Sequence, residues 1–143
     1  MISEKRSKDF VSKFEATGCY ILFDDKILVL KRSETDDGYQ ETWGTPGGKI
    51  VNETPKENII REVKEETGII LNRKKLKHIA KTFVKYPRYS FIYHLFSYNF
   101  DGLQKVILSD EHSEYKWLKP KDALKLNLIL DEDWCIKKAF KLS

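Results

Sequence analysis

Three carboxylates, Glu62, Glu65 and Glu66, crowd the end of a short segment that opens with Thr54-Pro55-Lys56-Glu57 and stops at Gly68. At about 100° per residue they share one sector of a helix, beside an apolar stripe of Ile59, Ile60, Val63 and Thr67. This arrangement opposes helix stability twice. Glu62 and Glu66 are like charges at i,i+4, costing ~0.2–0.5 kcal/mol. Glu65 and Glu66 also lie in the last turn, where the helix dipole disfavours anions by roughly 0.3–1 kcal/mol. A solvated charged face, with Glu57 and Arg61 as a supporting i,i+4 pair, is one reading. Acids grouped at the wrong pole favour the other: a site for a hard divalent cation, which takes carboxylate oxygens and keeps positions for water and phosphate. Just upstream, Trp43-Gly44-Thr45-Pro46-Gly47-Gly48-Lys49 permits a tight loop whose backbone can approach a ligand or metal closely.

The elements that must position these groups are readable in outline. Thr54 fits an N-cap, Pro55 the first helical position and Glu57 the far side of a capping box, with Gly68 as the C-terminal stop. Phe14 to Phe23 and Lys26 to Leu30 read as a hairpin about Asp24-Asp25, and Ser33 to Gln40 as a polar loop. Leu76 to Val84 and Tyr89 to Phe100 read as strands on either side of Tyr86-Pro87-Arg88. The second is apolar on both faces, which predicts cover on both. Val106 to Leu108 and Tyr115 to Leu118 read as further short strands. Pro120 to Leu124 and Asp131 to Leu142 read as helices, the latter anchored by Trp134, Ile136 and Phe140. The mixture predicts an α/β layered domain over residues 14–143, after a short polar arm at residues 1–13.

A chain of 143 residues fits one domain with a real core. With 34% charged and 41% hydrophobic residues, collagen-like, disulfide-scaffold and low-complexity classes are excluded. Cys19 and Cys135 have no metal-binding spacing and imply a reducing compartment. The net charge of +4 suits phosphate-bearing ligands but does not by itself argue for nucleic acid. Residues 1–9 have no apolar stretch behind them, and no run approaches the roughly 18 apolar residues of a membrane span. The expected location is the cytoplasm, with no membrane partner.

The run from Gly47 to Ile69 also carries a longer pattern: Gly, five residues, Glu, seven residues, then Arg-Glu-apolar-x-Glu-Glu-x-Gly-apolar. Gly47, Glu53, Arg61, Glu62, Val63, Glu65, Glu66, Gly68 and Ile69 fill every fixed position. In this the chain resembles the Nudix hydrolase family (MutT-like). Leu28 to Arg32, Trp43 to Gly48 and Glu114 to Leu118 extend the likeness over most of the chain. The resemblance implies a Nudix-type α/β/α sandwich around a mixed β-sheet. It also implies hydrolysis of a phosphoanhydride bond in a nucleoside diphosphate linked to another moiety: a nucleoside triphosphate, a nucleotide sugar or a dinucleoside polyphosphate. On this likeness Glu62, Glu65, Glu66 and a carbonyl of Gly47 hold Mg²⁺ or Mn²⁺, while Glu53 and Arg61 brace and orient them. The loop Gly47-Gly48-Lys49-Ile50-Val51-Asn52-Glu53 is one residue shorter than in many relatives, which leaves Gly47 and Gly48 as alternatives for the carbonyl donor. Relatives place a further glutamate before a Trp-bearing strand. Glu111, six residues before Trp117, is the first choice here and Glu114 the second. Glu66, Glu65 and Glu111 are thus the catalytic candidates, with Glu66 or Glu111 as the base.

Arg32, Tyr86 and Arg88 are candidates for substrate contact, with Lys81 and Lys85 as further cations for phosphate. Phe14, Tyr39, Tyr86 and Tyr89 are candidates for stacking on a base, and His78, His94 and His112 read as ordinary core or surface residues. The expected partner is a small-molecule nucleotide. Three other readings compete: an RNA 5′-end pyrophosphohydrolase or decapping enzyme, an isomerase on the same fold, and a non-catalytic nucleotide-binding module. The isomerase would need a cysteine at the site, whereas Cys19 reads as core. The binding module is disfavoured by the retained Glu53, Glu62, Glu65 and Glu66.

Overall fold

Asp24 and Asp25 both adopt left-handed backbone, with φ of 51° and 60°, the geometry of a two-residue hairpin turn. They fold β2 (Phe14–Phe23) back onto β3 (Lys26–Arg32). The structure is a computed structural model that describes residues 1–33 and 41–143. Apart from Ser33, the polar loop expected over Ser33 to Gln40, including Tyr39, lies outside the described residues.

β7 (Ser90–Asn99) runs parallel to β2 from Phe14↔Phe91 to Leu22↔Asn99, and β6 (Lys77–Lys85) pairs antiparallel with β7. On the other side β4 (Trp43–Gly44) and β8 (His112–Leu118) both pair antiparallel with β3, while β5 (Gly47–Lys49) pairs with β2. One parallel pairing among antiparallel ones makes the sheet mixed. The polar N-terminal stretch adds the outer strand β1 (Ile2–Ser3), in register with Val84 and Phe83. Phe10 packs edge-on against Phe83 at 5.3 Å and is buried.

Alternating side chains of β2 and β3 point to opposite faces and meet different helices. On one face α1 (Pro55–Thr67) buries Ile59 and Val63 against Cys19, Ile21, Leu28, Leu30 and Phe96. On the other, α2 (Pro120–Ala123) and α3 (Glu132–Ala139) bring Ala123 and Ile136 onto Tyr20, Ile27, Val29 and Leu95. Each fully buried aliphatic side chain contributes ~1.5–3 kcal/mol relative to exposure. The layers are therefore α/β/α, and β7 is covered on both faces. Cys19 and Cys135 are unbonded and buried. Among the described residues no helix is long and apolar enough to cross a membrane.

One expected element is corrected. Val106 to Leu108 joins no sheet. The Ile107 amide donates to the Thr67 carbonyl at 2.8 Å and the Ser109 amide to the Glu66 carbonyl at 3.3 Å. The last carbonyls of α1 lack partners within the helix, and they capture this segment in place of a neighbouring strand.

Candidate active site

α1 starts and stops where its sequence dictates. Thr54 Oγ1 accepts from the Glu57 amide at 3.2 Å, Glu57 Oε1 accepts from the Thr54 amide at 3.3 Å, and Gly68 takes the left-handed cap at φ 76°. Two polar residues on this helix are buried beside the apolar stripe. Asn58 donates to the Lys49 carbonyl at 2.9 Å and to Glu53 Oε1 at 2.8 Å, and it accepts from the Thr17 hydroxyl. It thereby ties β2, β5 and the loop before α1 to the helix. Spacing offers no signal for that role, and sequence reasoning missed it.

Glu66 is the second, only 3% exposed. Its Oε1 accepts from the Gly47 amide at 3.1 Å, which holds the glycine loop against the helix end. The loop needs its glycines. A Cβ on Gly47 would lie 2.0 Å from the Thr17 carbonyl oxygen, and one on Gly48 would lie 2.5 Å from the Glu62 carboxyl carbon. Glu62 and Glu66 are within hydrogen-bonding reach of each other, and both feel the charge of Glu111. Burial is the main reason both carboxyls are pushed above the usual range, with neighbouring carboxylates reinforcing it and the Gly47 amide opposing it at Glu66.

The three helix glutamates do not converge as one sector. Glu65 is exposed and engaged by Arg61 Nη1 at 3.0 Å. Arg61 also reaches Glu53 at 2.7 Å and Glu62 at 3.2 Å. With Asn58 it holds the Glu53 carboxyl well below the usual range, at about 2. The i,i+4 attraction to Arg61 thus outweighs convergence for Glu65 in this conformation. Among the described residues no three acidic, histidine or cysteine side chains are grouped closely enough to hold a metal ion. Glu62 and Glu66 lie together, and Glu111 is near enough for its charge to act on both.

Ser33 pins the turn bearing Glu111: its amide and hydroxyl donate to the carbonyls of Glu111 (2.9 Å) and Asp110 (2.8 Å). Glu114, the second choice, lies 4.0 Å from Lys31 instead. Next to Glu111, His112 is buried, and its Nδ1 has no hydrogen-bond partner among the described residues. Burial and the adjacent Arg32 push its pKa down to about 4. His112 and Arg32 both line a cavity of about 650 Å³ that begins at Gly47 and Gly48. His112 is thus brought to the site, although its sequence context marks it as ordinary.

Phe14, Tyr86, Tyr89, Phe91, Asp131 and Glu132 line the same cavity. Phe14 and Phe91 are register partners and stack at 4.9 Å. Tyr86 donates to Asp131 Oδ2 at 2.6 Å. Arg88 is exposed at the β6–β7 turn and does not line the cavity; its carbonyl receives Lys13 Nζ at 3.3 Å. Lys85 pairs with Asp9 at 2.8 Å and Lys81 lies over the Phe83 ring. Glu132 is buried, with burial pushing its pKa up to about 7 against the hydrogen bonds from Tyr20 and Thr45.

The sequence profile of the NUDIX domain matches residues 13–139. An uncharacterised Nudix hydrolase of Bacillus subtilis (strain 168), YvcI, is 34% identical over 70 residues, 48% of this chain and 41% of the relative. An ADP-ribose pyrophosphatase of Methanocaldococcus jannaschii is 36% identical over 66 residues, 46% of this chain and 38% of that protein. The matched stretch therefore spans about two-fifths of either relative. The crystal structure of a MutT protein from Methanosarcina mazei Go1 superposes with a TM-score of 0.76 at 25% identity, covering 94% of this chain and 96% of that one.

Proposed function

Since the chain belongs to the NUDIX family, we propose that it is a divalent-metal-dependent pyrophosphohydrolase cleaving a phosphoanhydride bond in a nucleoside diphosphate linked to another moiety. The observation that carries this reading is Glu66, a nearly buried carboxyl beside Glu62 and within the field of Glu111, whose Oε1 holds the amide of cavity-lining Gly47. Clustered carboxylates lose stability unless protonated or paired with cations. The hard oxygens of Glu62 and Glu66, beside a glycine loop that lines the cavity, suit Mg²⁺ or Mn²⁺. The name of the M. jannaschii relative, an ADP-ribose pyrophosphatase, supports the same substrate class.

Glu62, Glu66 and Glu111 would hold the cation, with a carbonyl of Gly47 completing the set and Glu65 joining on release from Arg61. A bound cation neutralises charge on the bridging phosphates and acidifies water. The protein's share is positional. Arg61 and Glu53 fix the helix against the glycine loop, the Gly47 amide holds one oxygen of Glu66, and Arg32 faces the cavity where phosphate oxygens would lie. Glu66 or Glu111 takes the proton from the attacking water.

The test is hydrolysis of nucleoside triphosphates, nucleotide sugars, ADP-ribose and dinucleoside polyphosphates with and without Mg²⁺ or Mn²⁺, in heavy-oxygen water to locate the attacked phosphorus. Metal-dependent release of a nucleotide is expected. No turnover on the panel, with no cation uptake by calorimetry in the presence of nucleotide, overturns the proposal.

A further inference from the structure

Three side chains from three neighbouring strands stand in a row on the face of the sheet that α1 packs against. They are Glu15 of β2, His94 of β7 and His78 of β6, and none of them lines the cavity. His94 Nε2 lies 2.7 Å from Glu15 Oε1, and His94 Nδ1 lies 3.3 Å from His78 Nε2. An ionised carboxylate only accepts, so the His94 proton sits on Nε2 and the lone pair of Nδ1 is left towards His78. His94 is 7% exposed, whereas His78 is open to solvent.

The register of β6 is broken where this row is made. His78 stands opposite Phe96 and Ala80 opposite Leu95, so Ile79 is the extra residue of a β-bulge. In an unbroken ladder Ile79 would face Phe96 and share a side of the sheet with His94. The bulge sets His78 there instead and leaves Ile79 exposed. Phe96 packs edge-on against the His78 ring, with centroids 5.0 Å apart, and steadies it.

Two imidazole nitrogens at this separation match a transition-metal ion between them. With metal–nitrogen bonds of about 2.0–2.1 Å, the 3.3 Å gap subtends about 104–111° at the metal, which brackets the tetrahedral angle. Glu15 behind His94 completes a carboxylate–histidine–metal arrangement, which fixes the tautomer and raises the basicity of the ligating nitrogen. His78 ligates through Nε2 with its own proton on Nδ1. Burial, with the charges of His94, Lys56 and Lys81, pushes the His78 pKa below its ordinary value, so the ring is neutral at pH 7. The two lysines also repel cations. That selects against Mg²⁺ and Ca²⁺, which are held by charge on oxygen, and for ions that bond imidazole nitrogen. Two protein ligands leave the remaining positions to water, which the exposed side of His78 admits.

We propose that His78 and His94 form a binding site for a divalent transition-metal ion of the Cu²⁺, Ni²⁺ or Zn²⁺ type, with Glu15 as the carboxylate that orients His94. The site uses none of Glu62, Glu66 or Glu111, and it stands whether or not the acidic end hydrolyses phosphoanhydrides.

The probe is Cu²⁺, the tightest binder of such sites in the divalent series, added to the full chain in excess Mg²⁺ to keep the acidic end occupied. One equivalent should bind, with an electron paramagnetic resonance spectrum split by two imidazole nitrogens, and Ni²⁺ or Zn²⁺ should displace it. Glu15→Gln keeps an acceptor for His94 but not the charge, and should weaken binding by roughly 10–100-fold. His78→Ala, at an exposed position, should lose the two-nitrogen signal altogether. Thermal melts establish that both variants are folded. No bound equivalent, copper held by oxygen alone or by a single nitrogen, or a two-nitrogen signal that survives in folded His78→Ala overturns the assignment. Should that variant fail to fold, the nitrogen count in the wild type and the Glu15→Gln shift decide.

Discussion

Gly47 on the cavity wall and Glu62 and Glu66 next to the glycine loop come from a single stretch of chain, that loop and the helix that follows it; Phe14, Tyr86, Phe91 and Glu132, also on the wall, come from segments that only the sheet brings together. The first is polar, crowded with like charge and held by local hydrogen bonds. The second is mainly ring surface, held by strand register and by the start of α3. Chemistry that must place several charges within a few ångströms is built from neighbours in sequence, since a short loop and one helix leave few ways to misplace them. A broad wall of rings needs side chains from several strands, which distant segments supply more readily.

The largest effect is expected from breaking the acidic end alone. Glu66→Gln retains an oxygen to accept from the Gly47 amide, so the fold should persist. The variant can no longer act as base or anionic ligand. Steady-state kinetics should show kcat lower by roughly 10²–10⁴-fold with nucleotide affinity in the absence of metal little changed. A parallel loss of that affinity would show that the two ends are not separable.

Stability against pH sharpens the contrast, because each end buries one carboxyl whose pKa is raised. A raised carboxyl binds its proton more tightly in the folded chain than in the unfolded one, so stability is full below the unfolded value and declines as pH rises through the folded value. For Glu132 the window runs from the model-compound value of 4.5 to about 7, and for Glu66 the decline continues into more alkaline solution. Thermal melts of the metal-free protein should therefore fall in midpoint above about pH 6.5, because below it buried His112, pushed down from 6.5 to about 4, adds stability with rising pH and offsets the loss at Glu132. Glu132→Gln should let the midpoint rise up to that pH, and Glu66→Gln should flatten the alkaline part. Added Mg²⁺ should restore stability at high pH for the wild type and not for Glu66→Gln.

A smaller effect is expected at the aromatic end. Tyr86→Phe removes the 2.6 Å hydrogen bond to Asp131 and keeps the ring. At about 0.5–1.5 kcal/mol for such a bond, KM should rise roughly two- to tenfold with kcat nearly constant. A fall in kcat of the Glu66→Gln size would mean that closure of this end positions the phosphates as well.

The same contrast explains what could be read before the fold was known. Capping box, C-cap glycine, hairpin and mixed layers follow from local rules, and Thr54, Gly68 and Asp24-Asp25 carry them without tertiary help. Glu62 and Glu66 were legible as a pair because helical spacing is periodic. The departure of Glu65 was not, since it depends on which neighbour Arg61 engages. Asn58 and His112 are polar residues whose burial comes from contacts with β2 and β3, far from them in sequence. Glu132 looks like any acid in the first turn of a helix. Only the approach of Tyr20 and Thr45 makes it part of a cavity wall. Val106 to Leu108 has strand composition, yet the free carbonyls at the end of α1 were the nearer acceptors.

The smallest expected effect tests whether the acidic end depends on its own helix start. Thr54 and Glu57 exchange hydrogen bonds at the surface, and replacing such a cap by alanine costs about 0.5–2 kcal/mol. Exposure places Thr54→Ala near the lower figure, so urea denaturation should show a lower midpoint with an unchanged slope. Fraying at the first turn would reach Asn58 before Glu66. Asn58 secures Lys49 and Glu53, and through them the glycine loop. Affinity for the cation should therefore weaken slightly, while the effect of Tyr86→Phe on KM, set by its bond to Asp131, stays the same in a Thr54→Ala background. If that effect moved with the cap, the aromatic end would be coupled to α1 through the Asn58 bonds to β2 and β5, and the division between a locally built end and a sheet-built end would have to be redrawn at Gly47.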